Sequence, residues 1–161
     1  MNWDAIGAVG EILGALAVFV SLLYLALQIR VQNRESRIAS SHEIIEAFRQ
    51  GTSKLSDPEI AKIYVRAIRG LDGLEEWELM SFIAVAQLLL RVWEEAFYQY
   101  SEQRLYGSLW KAMETQYSDW VSAKGMQELW VLRKGYFRVE FREYVDCIDL
   151  VGRNYHISPA F

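Results

Sequence analysis

The feature that most constrains this chain is an apolar run near its N-terminus, AIGAVGEILGALAVFVSLLYLALQI, which covers residues 5–29. Only Glu11, Ser21 and Gln28 are strongly polar in this run, and a membrane-spanning helix needs about 20 predominantly apolar residues. A buried core helix seldom stays apolar over such a length, and an interfacial helix shows a broader polar face. We therefore predict a transmembrane helix within residues 1–30.

The charges that flank the apolar run predict its orientation. Asp4 precedes the run, and Arg30, Arg34 and Arg37 follow it. A cleaved signal peptide has the opposite order, with basic residues before a shorter apolar segment. By the positive-inside rule, we expect the N-terminus outside, Trp3 at the outer interface, and everything after Arg30 in the cytoplasm.

A heptad stripe along this helix carries all three polar residues of the run. Its members are Gly7, Glu11, Gly14, Val18, Ser21, Leu25 and Gln28. Beside the stripe, Gly10 and Gly14 form a GxxxG pair, and Ala17 and Ser21 extend it as an edge of small residues that allows close helix approach. A single span has no second span to pair with, so we expect another copy of the chain or another protein to cover this face, with a homo-oligomer as the default.

The position of Glu11 leaves two interpretations open. If Ile29 marks the cytoplasmic boundary, Glu11 lies about 27 Å away, near the outer edge of a hydrocarbon core about 30 Å thick. There its carboxylate can reach water by extending toward the interface. In the alternative, a ring of Glu11 side chains faces an oligomer axis, with Ser21 and Gln28 lining an ion pore. A dry packed interface explains the glycines equally well.

The rest of the chain predicts an all-α protein. The helical pattern continues beyond Arg30 without a proline or strong breaker until Gly51, so we predict a helical stalk over 31–56 and a cytosolic helical bundle over 57–161. In the bundle, Asp57 as N-cap and Pro58 at the first helical position mark a helix that Gly70 ends. Further helices are predicted at 74–104, 108–123, 126–134 and 139–151, with Gly125 and Gly135 as stops between them.

Composition excludes some classes of function. The formal net charge of −4 argues against a nucleic-acid partner. The two histidines, His42 and His156, have no partner at metal-ligand spacing, so we predict neither a metal nor a cofactor. Cys147 is expected to be a small buried hydrophobe.

The remaining residues that resemble functional groups have structural explanations. The pairs Glu75–Glu76 and Glu94–Glu95 are expected on solvated helix faces, because adjacent helical residues point about 100° apart. Two aromatic groups at helical spacing are predicted to form core. Their members are Trp93, Phe97 and Tyr100, and then Trp130, Tyr136, Phe137, Phe141 and Tyr144. No pattern of residues indicates an enzyme.

Three segments resemble a family of small bacterial single-pass membrane proteins with a helical cytosolic domain, known as a domain of unknown function. They are NWDAIGAVGEILGALAVFVSLLYLALQIR, LLLRVWEEAFYQY and GYFRVEFREYVD. The resemblance implies one N-terminal span followed by a helical cytosolic domain, and no assigned activity. We expect a single-pass protein of the bacterial inner membrane, in contact with lipid. The polar stripe favours a homo-oligomer that conducts ions through its span, and the GxxxG edge and aromatic-rich bundle favour the alternative, a non-conducting scaffold that binds an unidentified protein partner.

Overall fold

The computed structural model describes residues 3–153 and 155, without the side chains of residues 3–6, 8 and 9. The described residues form six α-helices and two short 3₁₀ turns, with no β-strand among them. The helices are α1 (Trp3–Ser53), α2 (Pro58–Ala67), α3 (Glu76–Ser101), α4 (Gly107–Val121), α5 (Lys124–Arg133) and α6 (Val139–Asp146). The predicted all-α class, with an apolar N-terminal helix that continues into a helical region, is confirmed.

Helix α1 is a single helix of 51 residues. It continues through the predicted junction at Arg30 and ends only at Ser53, because no proline and no turn signal interrupts it. The 3₁₀ turn Lys54–Ser56 then redirects the chain toward α2. The apolar N-terminal part and the bundle are therefore joined by continuous helix rather than by a loop.

The last third of α1 packs along α3 in the antiparallel direction. Ser40 Oγ lies 3.3 Å from Gln99 Oε1, and Gly51 lies opposite Leu89. A Cβ built on Gly51 would be 2.7 Å from Leu89 Cδ2, so glycine permits this close helix approach. Ile44, between these two contacts, is buried in the core. Residues from Ser40 onward, which the sequence assigned to a stalk over 31–56, thus contribute to the bundle core.

Helix α2 begins as its sequence predicts. Asp57 has extended backbone, and its Oδ1 accepts hydrogen bonds from the backbone N–H groups of Glu59 at 2.8 Å and Ile60 at 3.4 Å. Pro58 occupies the first helical position, where a missing N–H has no consequence. The helix ends at Ala67, and Gly70 follows two residues after the C-cap with φ +152°.

The predicted role of Gly125 as a helix stop is wrong. Gly125 is buried inside α5, and its N–H donates a hydrogen bond of 3.1 Å to the Ile68 carbonyl. A Cβ on Gly125 would lie 1.8 Å from the carbonyl oxygen of Ala67. The residue therefore permits α5 to touch the end of α2, and α4 has already ended at Val121.

The other helix bounds lie close to the predicted ones, except at the C-terminus. Helix α3 was predicted over 74–104 and spans Glu76–Ser101. Helix α6 was predicted over 139–151 but ends at Asp146, and the chain then forms turns up to Gly152. His156 and Pro159 lie outside the described residues.

Candidate functional site

The apolar part of α1 has no protein covering it. From Ile12 to Val31, its large hydrophobic side chains are 52–68 % exposed, whereas the bundle buries residues such as Trp93 and Phe141 completely. Among the described residues, one helix is long and apolar enough to cross a membrane, and it is α1. At 1.5 Å per residue, the 20 residues from Ile12 to Val31 extend about 30 Å, the thickness of a hydrocarbon core.

The glycines of α1 also have no neighbours among the described residues. A Cβ built on Gly7, Gly10 or Gly14 meets no described atom within 4 Å. Ser21 Oγ donates a hydrogen bond of 2.8 Å to the Ala17 carbonyl one turn earlier. Its hydroxyl group is therefore satisfied within the helix and needs no water-filled path.

The two remaining polar residues of the span have no hydrogen-bond partner among the described residues. The side chains of Glu11 and Gln28 are exposed, and neither makes a hydrogen bond with another described residue. Glu11 directly precedes the segment from Ile12 to Val31, and Gln28 lies three residues before its end. Both side chains can therefore reach interfacial water or a neighbouring chain.

The heptad stripe shares Gly14 and Ser21 with the small-residue edge, but helix geometry directs Glu11 away from that edge. At about 100° per residue, the edge of Gly10, Gly14, Ala17 and Ser21 covers about 60° of the α1 circumference. The stripe drifts by about 20° per heptad in a straight helix, so it covers about 100° from Glu11 to Gln28. Glu11 then lies about 90° from the centre of the edge. The other stripe members Gly7, Val18, Ser21, Leu25 and Gln28 are all exposed.

A basic segment follows the apolar part of α1. Arg30 and Arg34 are exposed, and Arg37 is partly buried where α1 first approaches the bundle. The side chains of Trp3 and Asp4, predicted at the outer end, lie outside the described residues.

Of the aromatic residues of α3 that were predicted to form core, Trp93 and Phe97 do so. The Trp93 ring stacks on Tyr117 with a centroid distance of 4.9 Å, and Phe141 packs edge-on against it at 5.4 Å. Phe97 packs on Tyr144 at 5.0 Å, but Tyr100 is exposed, so its predicted core position is wrong. Tyr136, from the second predicted group, is an exception. It is exposed, while Trp130, Phe137 and Phe141 are buried.

The predicted environments of Glu94 and Cys147 are wrong. Glu94 is buried rather than solvated, because Arg91 Nη1 donates to its Oε2 at 2.6 Å and the Arg138 backbone N–H donates to its Oε1 at 2.8 Å. Arg138 is the N-cap of α6, so Glu94 binds the start of α6 to α3. Cys147 is exposed just beyond the end of α6. Glu75, Glu76 and Glu95 are exposed as expected.

The buried cavity of the bundle is small. Open clefts of about 310 Å³ beside Cys147 and about 560 Å³ between α2 and α3 lie on the bundle surface, whereas the cavity between the first four helices measures about 80 Å³, below the 300–1,000 Å³ usual for ligand pockets. Its hydroxyl groups are engaged: Trp120 Nε1 donates to Tyr64, and Tyr117 donates to the Leu89 carbonyl at 3.0 Å. Burial raises the pKa of both tyrosines, so neither serves as a base. No metal-binding cluster occurs within residues 3–153 and 155.

Comparison with known proteins gives no relative from which a role can be transferred. No protein-family model, no curated protein and no solved structure matches this chain. The assignment of a function therefore depends on the geometry of α1 and the bundle alone.

Proposed function

We propose that this chain is a single-pass membrane protein of the bacterial inner membrane, with α1 as its span and the bundle in the cytoplasm. The observation that supports this most strongly is the uncovered apolar surface of α1. Between Ile12 and Val31, twelve exposed aliphatic or phenylalanine side chains together favour insertion by about 4–7 kcal/mol. The arginines that follow support a cytoplasmic position of the bundle by the positive-inside rule.

We further propose that the spans self-associate through the small-residue edge defined above. Without Cβ atoms at Gly10 and Gly14, two helix backbones can approach closely, and van der Waals packing is the main contribution to helix association in lipid. No atom of the described residues would lie within 4 Å of a Cβ at these glycines, which leaves room for a second helix and supports this role. The product is a symmetric homo-oligomer that holds non-catalytic helical bundles together at the membrane surface.

Cysteine cross-linking with a matched pair of alanines tests this interface. Ala15 and Ala17 have nearly equal depth, but they point about 160° apart on the helix. In a Cys147→Ser background, we expect Ala17→Cys to form a disulfide-linked dimer in native membranes under mild oxidation. We expect Ala15→Cys to remain monomeric. Equal cross-linking of the two variants, or none in either, would contradict the proposed face.

An ion pore is the second candidate function, because Glu11 and Gln28 have no partner among the described residues. Four or five copies of α1 can enclose a water-filled path, whereas two cannot. The test is ion flux into liposomes that contain wild-type protein or Glu11→Gln. A flux above background that the substitution alters would support the pore, and background flux in both would refute it.

A further inference from the structure

A polar cleft of about 490 Å³ lies where α1 enters the bundle. One wall consists of Gln32, Asn33, Ser36 and Arg37 from α1, and the other consists of residues 102–104 in the loop between α3 and α4. We call this space the juxtamembrane cleft. Its α1 wall begins at Gln32, directly after the apolar part of α1 ends at Val31.

The cleft begins in the headgroup layer of a bilayer. A bilayer has about 5–7 Å of polar headgroup region on each side of its hydrocarbon core. If the core ends at Val31, Gln32 lies about 1.5 Å beyond it and Arg37 about 9 Å beyond it along the helix. Gln32 therefore lies within the headgroup layer, and Arg37 lies about 2 Å outside it, a distance that the long arginine side chain can extend to reach the lipid phosphates.

The cleft is a basic region of an acidic protein. Neither Arg37 nor Arg104 donates a side-chain hydrogen bond or forms an ion pair with another residue that the structure describes. Arg30 and Arg34 lie nearby on α1, while Glu102 is the one acidic residue of the described cleft lining. The whole chain has a net charge of −4, so a surplus of arginine at this end is a local feature. Two guanidinium groups without carboxylate partners suit a phosphate group.

Backbone hydrogen bonds at the C-terminal end of α3 define the conformation of the loop wall. The backbone N–H of Gln103 donates to the Tyr100 carbonyl at 2.9 Å, and that of Arg104 donates to the Gln99 carbonyl at 2.7 Å. This is a Schellman motif, whose left-handed position usually contains glycine. Here Gln103 adopts it with φ +58°, which glycine would adopt with less strain. An amide side chain is thus placed at the cleft beside Arg104.

We propose that the juxtamembrane cleft binds the phosphate group of an anionic glycerophospholipid from the cytoplasmic leaflet. Arg37 and Arg104 neutralise the phosphate from opposite walls, and the amides of Gln32 and Gln103 donate hydrogen bonds to its oxygens. The inference rests on the proposed span, because only a span through residues 12–31 places the cleft at headgroup depth. Binding would fix the bundle against the membrane surface in one orientation.

Lipid titration of the full chain in a neutral detergent, followed by native mass spectrometry, tests the proposal. We expect phosphatidylglycerol to bind more tightly than phosphatidylcholine, and Arg37→Gln with Arg104→Gln to weaken phosphatidylglycerol binding by about thirtyfold. The matched control, Arg30→Gln with Arg34→Gln, removes two cations that lie nearer the bilayer core on α1 and outside the cleft lining. It should change the affinity by less than about fivefold. Equal losses in the two double variants would overturn the cleft as a site.

A second variant keeps the charge constant. Gln32 is exposed on the α1 wall, so Gln32→Leu should leave the fold intact, as checked by circular dichroism, while it removes an amide that the proposal places on the phosphate. We expect several-fold weaker binding of phosphatidylglycerol. Unchanged affinity would contradict the involvement of this wall.

Two further experiments distinguish lipid phosphate from free phosphate, and failure of the lipid inference from failure of the proposed span. If millimolar inorganic phosphate displaces phosphatidylglycerol, the cleft is a site for free phosphate and the lipid proposal is wrong. If the chain fails to enter phosphatidylcholine nanodiscs, the proposed span is wrong and the lipid inference fails with it. If the chain enters them but shows no preference for the anionic lipid in detergent, only the lipid inference is refuted.

Discussion

Gly125→Ala should destabilise the bundle strongly, although the substitution adds a single methyl group. The added Cβ would lie 1.8 Å from the Ala67 carbonyl oxygen, 2.8 Å from its carbonyl carbon and 3.1 Å from Ile68 Cα. All three atoms belong to the backbone of α2 and its C-cap, so no side-chain rotation relieves the contact. The start of α5 must move away from the end of α2 by about 1.5 Å to restore an ordinary carbon–oxygen contact.

The expected loss of stability follows from three contributions. Overpacking costs about 1–3 kcal/mol, and contact with rigid backbone places this case at the upper end. The movement also lengthens the hydrogen bond of 3.1 Å from the Gly125 N–H to the Ile68 carbonyl, which is a loss of about 1 kcal/mol. The higher helix propensity of alanine offsets this loss by at most about 1 kcal/mol. We therefore expect a net loss of about 2–3 kcal/mol, or about 8–12 °C in Tm for a domain of this size.

Thermal unfolding of the full chain in detergent, followed by near-UV circular dichroism, measures this effect. Five of the six tryptophans follow residue 76, so the signal reports the bundle. Gly135→Ala is the matched control, because an added Cβ there meets no described atom within 4 Å. The control should shift Tm by less than about 2 °C. If both variants unfold at the wild-type temperature, the assigned contact between α5 and α2 is wrong.

Three further substitutions test other local arguments by thermal or urea unfolding. Gln103→Gly should raise stability by about 0.5–1 kcal/mol, since it removes the side chain from a left-handed position, and a lower Tm would contradict this. Glu94→Ala should cost about 2–3 kcal/mol because it leaves the Arg138 N–H without its acceptor, whereas Glu94→Gln, which keeps an acceptor oxygen, should cost less. The Lys134 ammonium holds the pKa of Asp146 below its ordinary value of 3.8. Wild type should therefore lose stability as the pH falls below about 4, and Asp146→Asn should lose less.

Local sequence signals predicted the parts of the fold that depend on local contacts. Asp57 and Pro58 mark the start of α2 because a cap is satisfied by the next three residues. The length of α1 follows from a long stretch without proline or turn residues. The core position of Trp93 follows from the apolar period of α3. Each of these depends on neighbours within a few turns of helix, which the sequence shows directly.

Long-range contacts explain the predictions that failed. A glycine between two helical patterns usually marks a helix end, but Gly125 is glycine because the Ala67 carbonyl lies against it, 58 residues earlier in the chain. A Glu–Glu pair usually faces solvent, but Glu94 is buried because Arg91 and the backbone of Arg138 satisfy its carboxylate. In both cases the deciding contact is with a residue distant in the chain, so the local sequence pattern around Gly125 or Glu94 does not reveal it.

The sequence predicts both a small-residue edge and a polar heptad stripe on α1. Which of the two forms the contact between helices depends on the handedness of helix association. GxxxG pairs favour right-handed crossings of about −40°, in which two helices touch near Gly14 and then separate. In such a dimer, Glu11 faces the side of the contact and Gln28 lies away from its partner. A left-handed supercoil instead keeps the whole heptad stripe at the seam, and this is the arrangement that a pore needs.

Cross-linking at the far end of the span distinguishes these two arrangements. Gln28 lies 14 residues beyond Gly14, about 21 Å along the helix. At a crossing of about 40°, the two helix axes separate by roughly a further 14 Å over that distance, which no disulfide can bridge. In the Cys147→Ser background, Gln28→Cys should therefore stay monomeric while Ala17→Cys forms dimers. Efficient cross-linking at Gln28 would instead indicate a left-handed seam and would make the ion pore the better hypothesis.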